Sequence, residues 1–88
     1  MIFDPDEIDQ LFEENKDLLD DDWYIEAATR SGDEITVTVE RLRYEWGDWR
    51  VDTGVATHKN PRSAILFAIE DALMKCNYAD HTFNRSKE

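Results

Sequence analysis

The chain has 88 residues, 41% of them hydrophobic, with 21 acidic and 10 basic side chains for a formal charge of −11. That length holds one domain with a single modest core, and the apolar content argues against disorder throughout. The charge excludes nonspecific binding of DNA, RNA or an anionic membrane, because each phosphate contact needs a Lys or Arg.

Residues 1–22 carry ten acids and one base, Lys16, a local charge of −9. Residues 23–57 carry −3 and residues 58–88 carry +1, so nearly all the excess sits in one segment. Apolar runs are all shorter than the roughly 18 residues of a membrane span, and no secretory-signal pattern is seen. Cys76 is the sole cysteine, which points to a reducing, cytoplasmic setting without disulfides.

The first segment reads as a helix from Pro5 to Leu19. Asp4 suits the N-cap, Pro5 the first helical position, and Glu7 the far side of a capping box. Ile8, Leu11, Phe12, Leu18 and Leu19 recur at helical spacing, interrupted only by Asn15. Three strands follow. Trp23–Thr29 sets Trp23, Ile25 and Ala27 on one face, and Arg30–Asp33 forms a turn. Glu34–Arg43 sets Ile35, Val37 and Val39 inward and Thr36, Thr38 and Glu40 outward. After a turn at Glu45–Asp48, the third strand is expected to point Trp49, Val51, Thr53 and Val55 inward. Tyr24, Glu26, Arg50 and Asp52 are then expected on the solvated face. A second helix starts at Asn60-Pro61, with Ile65, Leu66, Ile69, Ala72, Leu73 and Cys76 as its core stripe. The expected fold is α+β: an α-β-β-β-α order, a three-stranded antiparallel sheet, and both helices packed on one face. Residues 1–78 form the domain, and 79–88 a polar tail.

The order resembles that of a double-stranded RNA-binding domain over roughly Ile8–Met74. The passage Gly54-Val55-Ala56-Thr57-His58-Lys59-Asn60-Pro61-Arg62, leading into an Ala- and Ile-rich helix, carries the likeness. That family grips phosphates with lysines at the start of its last helix. Here the cluster is reduced to Lys59 and Arg62 and the first helix is acidic, so the resemblance implies the topology and not the RNA binding. In size and charge the chain also resembles small phage-encoded inhibitors of host defence, of the anti-CRISPR and anti-restriction kind.

Asp6, Asp9, Glu13, Asp17 and Asp20 fall 3, 4, 4 and 3 apart, which on one helix aligns them along a face, with Glu14 at its edge. Like charges at this spacing destabilise a helix by about 0.2–0.5 kcal/mol per pair. Asp20, Asp21 and Asp22 further crowd the negative end of the helix dipole. Local rules broken without structural gain are a mark of function. The alternative is a solvated face that serves solubility.

Around the second turn, Tyr44, Trp46 and Trp49 gather three aromatics. Trp46 is a candidate contact anchor, set against a reading in which Tyr44 and Trp49 merely pair across strands. Phe67 and Met74 face away from the core stripe and suit either a tail contact or a homodimer. His58, His81 and the Asp20–Asp22 run lack metal-ligand spacing. Exposed carboxylates on a convex helix lack the pocket that acid-base chemistry needs, so neither an enzyme nor a cofactor is expected. The expected partner is a basic nucleic-acid-binding protein or nuclease. The alternatives are a toxin-neutralising immunity protein or antitoxin, and a structural accessory.

Overall fold

The structure is a computed structural model that describes the backbone of residues 1–20 and 22–87 and the side chains of 1–20 and 22–75. Asp21 and Glu88 lie outside the described residues, as do the side chains of residues 76–87, among them Cys76 and His81; the backbone of the segment expected as a tail from residue 79 continues as helix to Lys87. The elements run α1 (Pro5–Glu14), α2 (Lys16–Leu19), β1 (Trp23–Ser31), β2 (Glu34–Glu45), β3 (Asp48–His58) and α3 (Pro61–Lys87). The three strands form one antiparallel sheet in the order β1-β2-β3. This is the expected α+β arrangement. Among the described residues no helix is long and apolar enough to cross a membrane.

Leu11 and Leu19 pack with Ile25, Ile35, Val37 and Val39 of the sheet and with Ala64, Ile65, Ala68 and Ala72 of α3 in a single core. Ile35, Val37, Val39 and Ile65 are wholly buried, each worth about 1.5–3 kcal/mol of transfer free energy. The helix starts follow their sequence signals. The Glu7 amide donates to Asp4 Oδ1 at 2.8 Å, and the Asp4 amide to Glu7 Oε1 at 3.4 Å, closing the capping box. At α3, Asn60 Oδ1 accepts from the Arg62 amide at 2.9 Å.

Four expectations are corrected. First, the helix expected from Pro5 to Leu19 breaks at Asn15, whose φ of −125° and ψ of 25° separate α1 from α2. The Asn15 side chain is buried and donates to the Leu11 carbonyl at 2.9 Å. Asn readily competes for backbone in this way, and the break turns Leu19 fully into the core.

Second, a register shift between Ile25 and Ala27 changes the phase of β1, so Ala28, not Ala27, joins the core. Third, β3 has the opposite phase from that expected. Asp52 and Gly54 are buried, while Trp49, Val51 and Val55 are exposed. The cause is α3, which crosses so close that only a residue without Cβ fits beneath Ala68 and Ala72. Gly54 must therefore face inward, and period-two alternation then carries Asp52 inward and the valines outward. Fourth, Leu66 and Leu73 are exposed rather than part of the α3 core stripe, which runs through Ala64, Ile65, Ala68, Ile69 and Ala72.

Candidate functional site

The acidic segment is built on α1 and α2, which hold its carboxylates on the outside of the helical layer. Asp6, Asp9, Glu13 and Glu14 on α1 are exposed, as are Asp17, Asp20 and Asp22. The ten residues of α1 span only about 15 Å at 1.5 Å per residue. The unbroken five-carboxylate row is thus replaced by a shorter α1 row and a second group beyond Asn15.

The fold itself uses part of this charge. Asp4 and Glu7 cap α1. Glu13 lies 3.5 Å from Lys16, and Glu14 accepts from Gln10 at 3.1 Å. Asp17 is clasped by Arg62 of α3, with Nη1–Oδ1 at 3.1 Å and Nη2–Oδ2 at 2.6 Å. This bidentate bond holds the Asp17 carboxyl below its ordinary range and raises the Arg62 guanidinium. Asp17 is therefore a tie between the two helices and not a free member of the row. Asp6, Asp9, Asp20 and Asp22 make no side-chain hydrogen bond or ion pair among the described residues. Asp20 also adopts φ 54° and ψ −158°, a backbone conformation that L-residues rarely take.

The two cations flanking the start of α3 are both set against acids. Lys59 lies 3.6 Å from Asp33, and Arg62 is held by Asp17.

The β2–β3 hairpin brings together a second set of residues. Trp46 and Gly47, with φ of 56° and 77°, form its two-residue turn. Positive φ at both central positions matches the twist of the strands, but a bulky side chain at the first is unusual. The Trp46 side chain is 92% exposed at the tip. Tyr44 and Trp49 do pair edge-to-face, with ring centroids 5.1 Å apart. Both nevertheless remain open to solvent, at 60% and 63%.

On the inner side of the same hairpin, buried Asp52 accepts from Arg41 Nε at 3.1 Å and Nη2 at 2.8 Å, and lies 2.8 Å from Arg43 Nε. Arg41 also stands 4.7 Å over the Trp23 ring. This network lets the sheet bury a carboxylate. On the outer side, Tyr24 donates to Glu40 at 2.5 Å, which raises the phenol above its ordinary range.

The apolar outer face of this hairpin, Leu42, Tyr44, Trp49 and Val51, is not among the site residues expected from sequence. The available signal was the phase of β2, since a strand with Thr36, Thr38 and Glu40 outward must also point Leu42 and Tyr44 outward. Phe67, by contrast, stacks on His58 at 5.7 Å, while Met74 stands exposed.

A cleft of about 220 Å³ lies between α1 and the first residues, lined by Phe3, Leu11, Ile35 and Arg30 with Glu7 and Glu14. It falls below the roughly 300–1,000 Å³ of small-molecule sites. Among the described residues no group of three His, Cys, Asp or Glu is placed to hold a metal ion. Comparison with protein-family models, curated proteins and solved structures finds no match.

Proposed function

We propose that the chain is a small acidic binding inhibitor whose N-terminal carboxylates occupy the basic nucleic-acid-binding surface of another protein. Its target class is a nuclease of host defence, a restriction enzyme or a CRISPR effector. The observation that carries this reading is the set of exposed acids the fold does not use: Asp6, Asp9, Asp20 and Asp22, flanked by Glu13 and Glu14. A carboxylate accepts the same arginine hydrogen bonds as a phosphate. The capped helix presents these groups with little ordering entropy left to lose, and the charge speeds encounter with a basic partner.

The test is displacement of labelled DNA from a panel of purified nucleases and CRISPR effectors, read by fluorescence anisotropy. The wild-type chain is expected to compete with DNA for at least one of them, with an apparent affinity that falls steeply with salt. The triple reversal Asp6→Lys, Asp9→Lys and Glu13→Lys is expected to abolish competition while keeping the fold. If the reversed chain competes as well as the parent, the acidic face serves solubility alone.

A further inference from the structure

The outer face of the sheet is the part of the molecule whose exposure the monomer does not explain. Leu42 is paired with Val51 and Tyr44 with Trp49 across β2 and β3, and these four are 53–63% exposed. Val55 and Tyr24 extend the surface, and Trp46 stands exposed at the hairpin tip beside it. We infer that this face is the interface of a symmetric homodimer, in which two copies pack sheet against sheet.

Three observations select a second copy as the occupant. The first is area. With aromatics presenting roughly 150–250 Å² each, these seven residues at their observed exposures offer on the order of 800 Å². That is about what each partner contributes to a standard stable interface.

The second is charge. The rows Leu42–Val51, Tyr44–Trp49 and Thr38–Val55 hold no ionisable group but the Tyr44 phenol; the Glu40–Thr53 row between them brings one carboxylate, which accepts from Tyr24, and Glu26 lies near Tyr24 at the β1 margin. A patch that is mostly apolar, with its central carboxylate already hydrogen-bonded, suits an isologous contact better than a highly charged partner. The acidic helices lie on the opposite side of the sheet. With sheets about 10 Å apart and a helical layer behind each, the two acidic segments stand about 30 Å from one another, well beyond the roughly 8 Å Debye length. The −9 charge of residues 1–22 in one copy is therefore screened from that of the other.

The third is the state of the sheet edges, each of which is partly taken up within the chain. The β1 edge is covered at Ala28–Arg30 by the first residues: the Phe3 amide donates to the Ala28 carbonyl at 3.0 Å, and the Arg30 amide to the Met1 carbonyl at 2.8 Å. On β3, Asp71 of α3 takes up the Val55 amide at 3.0 Å. Among the described residues of α3, the competing apolar surface of Leu66, Phe67, Leu73 and Met74 is less exposed except at Met74, and is interrupted by Glu70 and the Asp71–Lys75 ion pair.

The test is sedimentation equilibrium of the full chain across about 1–200 μM, where a micromolar Kd is read directly. Wild type is expected to reach dimer mass. The double variant Leu42→Glu/Val51→Glu is expected to weaken the dimer at least about 100-fold, since it buries unpaired charge, while its far-UV circular dichroism stays unchanged. Leu66→Glu/Met74→Glu is expected to remain dimeric. In a mixed isotope-labelled sample, intermolecular NOEs should link the Leu42 and Val51 methyls to the aromatic rings of the other copy. A wild type that stays monomeric throughout overturns the proposal. So does a dimer that lacks these NOEs, or one dissolved by the α3 variant and not by the sheet variant.

Discussion

Gly54 lies directly beneath Ala68: a methyl group at position 54 would enter the Ala68 carbonyl oxygen and stand 2.8 Å from the Ala72 amide nitrogen. The obstruction is helix backbone, which cannot step aside as the end of a side chain can. Gly54→Ala is expected to cost about 1–3 kcal/mol by overpacking, read as a lower urea midpoint. Val55→Ala, one residue along on the exposed face, is expected to cost less than about 1 kcal/mol. Equal midpoints for the two variants would refute the close approach of α3 to β3.

The phase of the sheet has its own test. Val37 is wholly buried and Val51 is exposed. Val37→Ala is expected to destabilise by about 1–3 kcal/mol through lost transfer energy and a cavity. Val51→Ala, in the monomer at low concentration, is expected to change stability by no more than about 0.5 kcal/mol. Chemical denaturation of both variants decides it, and comparable losses for the two would restore the phase read from β3 alone.

Asp52 joins two guanidinium groups that are themselves about one-fifth exposed. Asp52→Ala leaves Arg41 and Arg43 beside each other without a carboxylate. The expected loss is about 2–4 kcal/mol, toward the lower end because the arginines keep some water. Were thermal melts of Asp52→Ala and wild type to superimpose, the network would hold no stabilising energy.

Asp17 and Asp71 both have carboxyl groups held below the ordinary range, Asp17 by its bond from Arg62 and Asp71 by the Val55 amide and then Lys75. A carboxyl whose folded pKa lies below its unfolded value adds stability above that unfolded value. It loses this contribution as pH falls through the folded pKa. Stability is therefore expected to decline below about pH 4. Asp17→Asn should flatten that decline and lower stability at neutral pH. Urea midpoints between about pH 2 and pH 7 give the measurement, and parallel curves for the two proteins would show that the Arg62 tie contributes nothing.

Trp46 holds φ at 56° with a bulky side chain almost wholly in solvent. Asn tolerates this conformation at the first position of such a turn. Trp46→Asn is expected to raise stability by about 0.5–1 kcal/mol and, if the sheet face joins two copies, to weaken the dimer. A lower melting temperature would mean that Trp46 makes a stabilising contact within one chain.

Much of the architecture was legible in the residues. Asp4-Pro5 and Asn60-Pro61 mark both major helix starts, and the Ile35-Val37-Val39 alternation identifies the buried face of β2. These are local signals: a cap bonds to its own helix, and a β-branched period-two run needs no knowledge of what covers it. The concentration of acid before Trp23 is likewise a property of composition. What only the tertiary structure decided is which face of β3 turns inward and which carboxylates are spoken for. Trp49-Arg50-Val51-Asp52-Thr53-Gly54-Val55 reads by hydrophobicity with its valines inside. The approach of α3 admits only Gly54 there, and Arg41 and Arg43, eleven and nine residues before Asp52, make the burial of Asp52 tolerable. In the same way, Arg62 removes Asp17 from the acidic row across 45 residues of sequence. Packing and ion pairing between distant segments override a local pattern whenever the contact they protect is backbone against backbone or charge against charge, because neither can be exchanged for a hydrophobic gain of one valine.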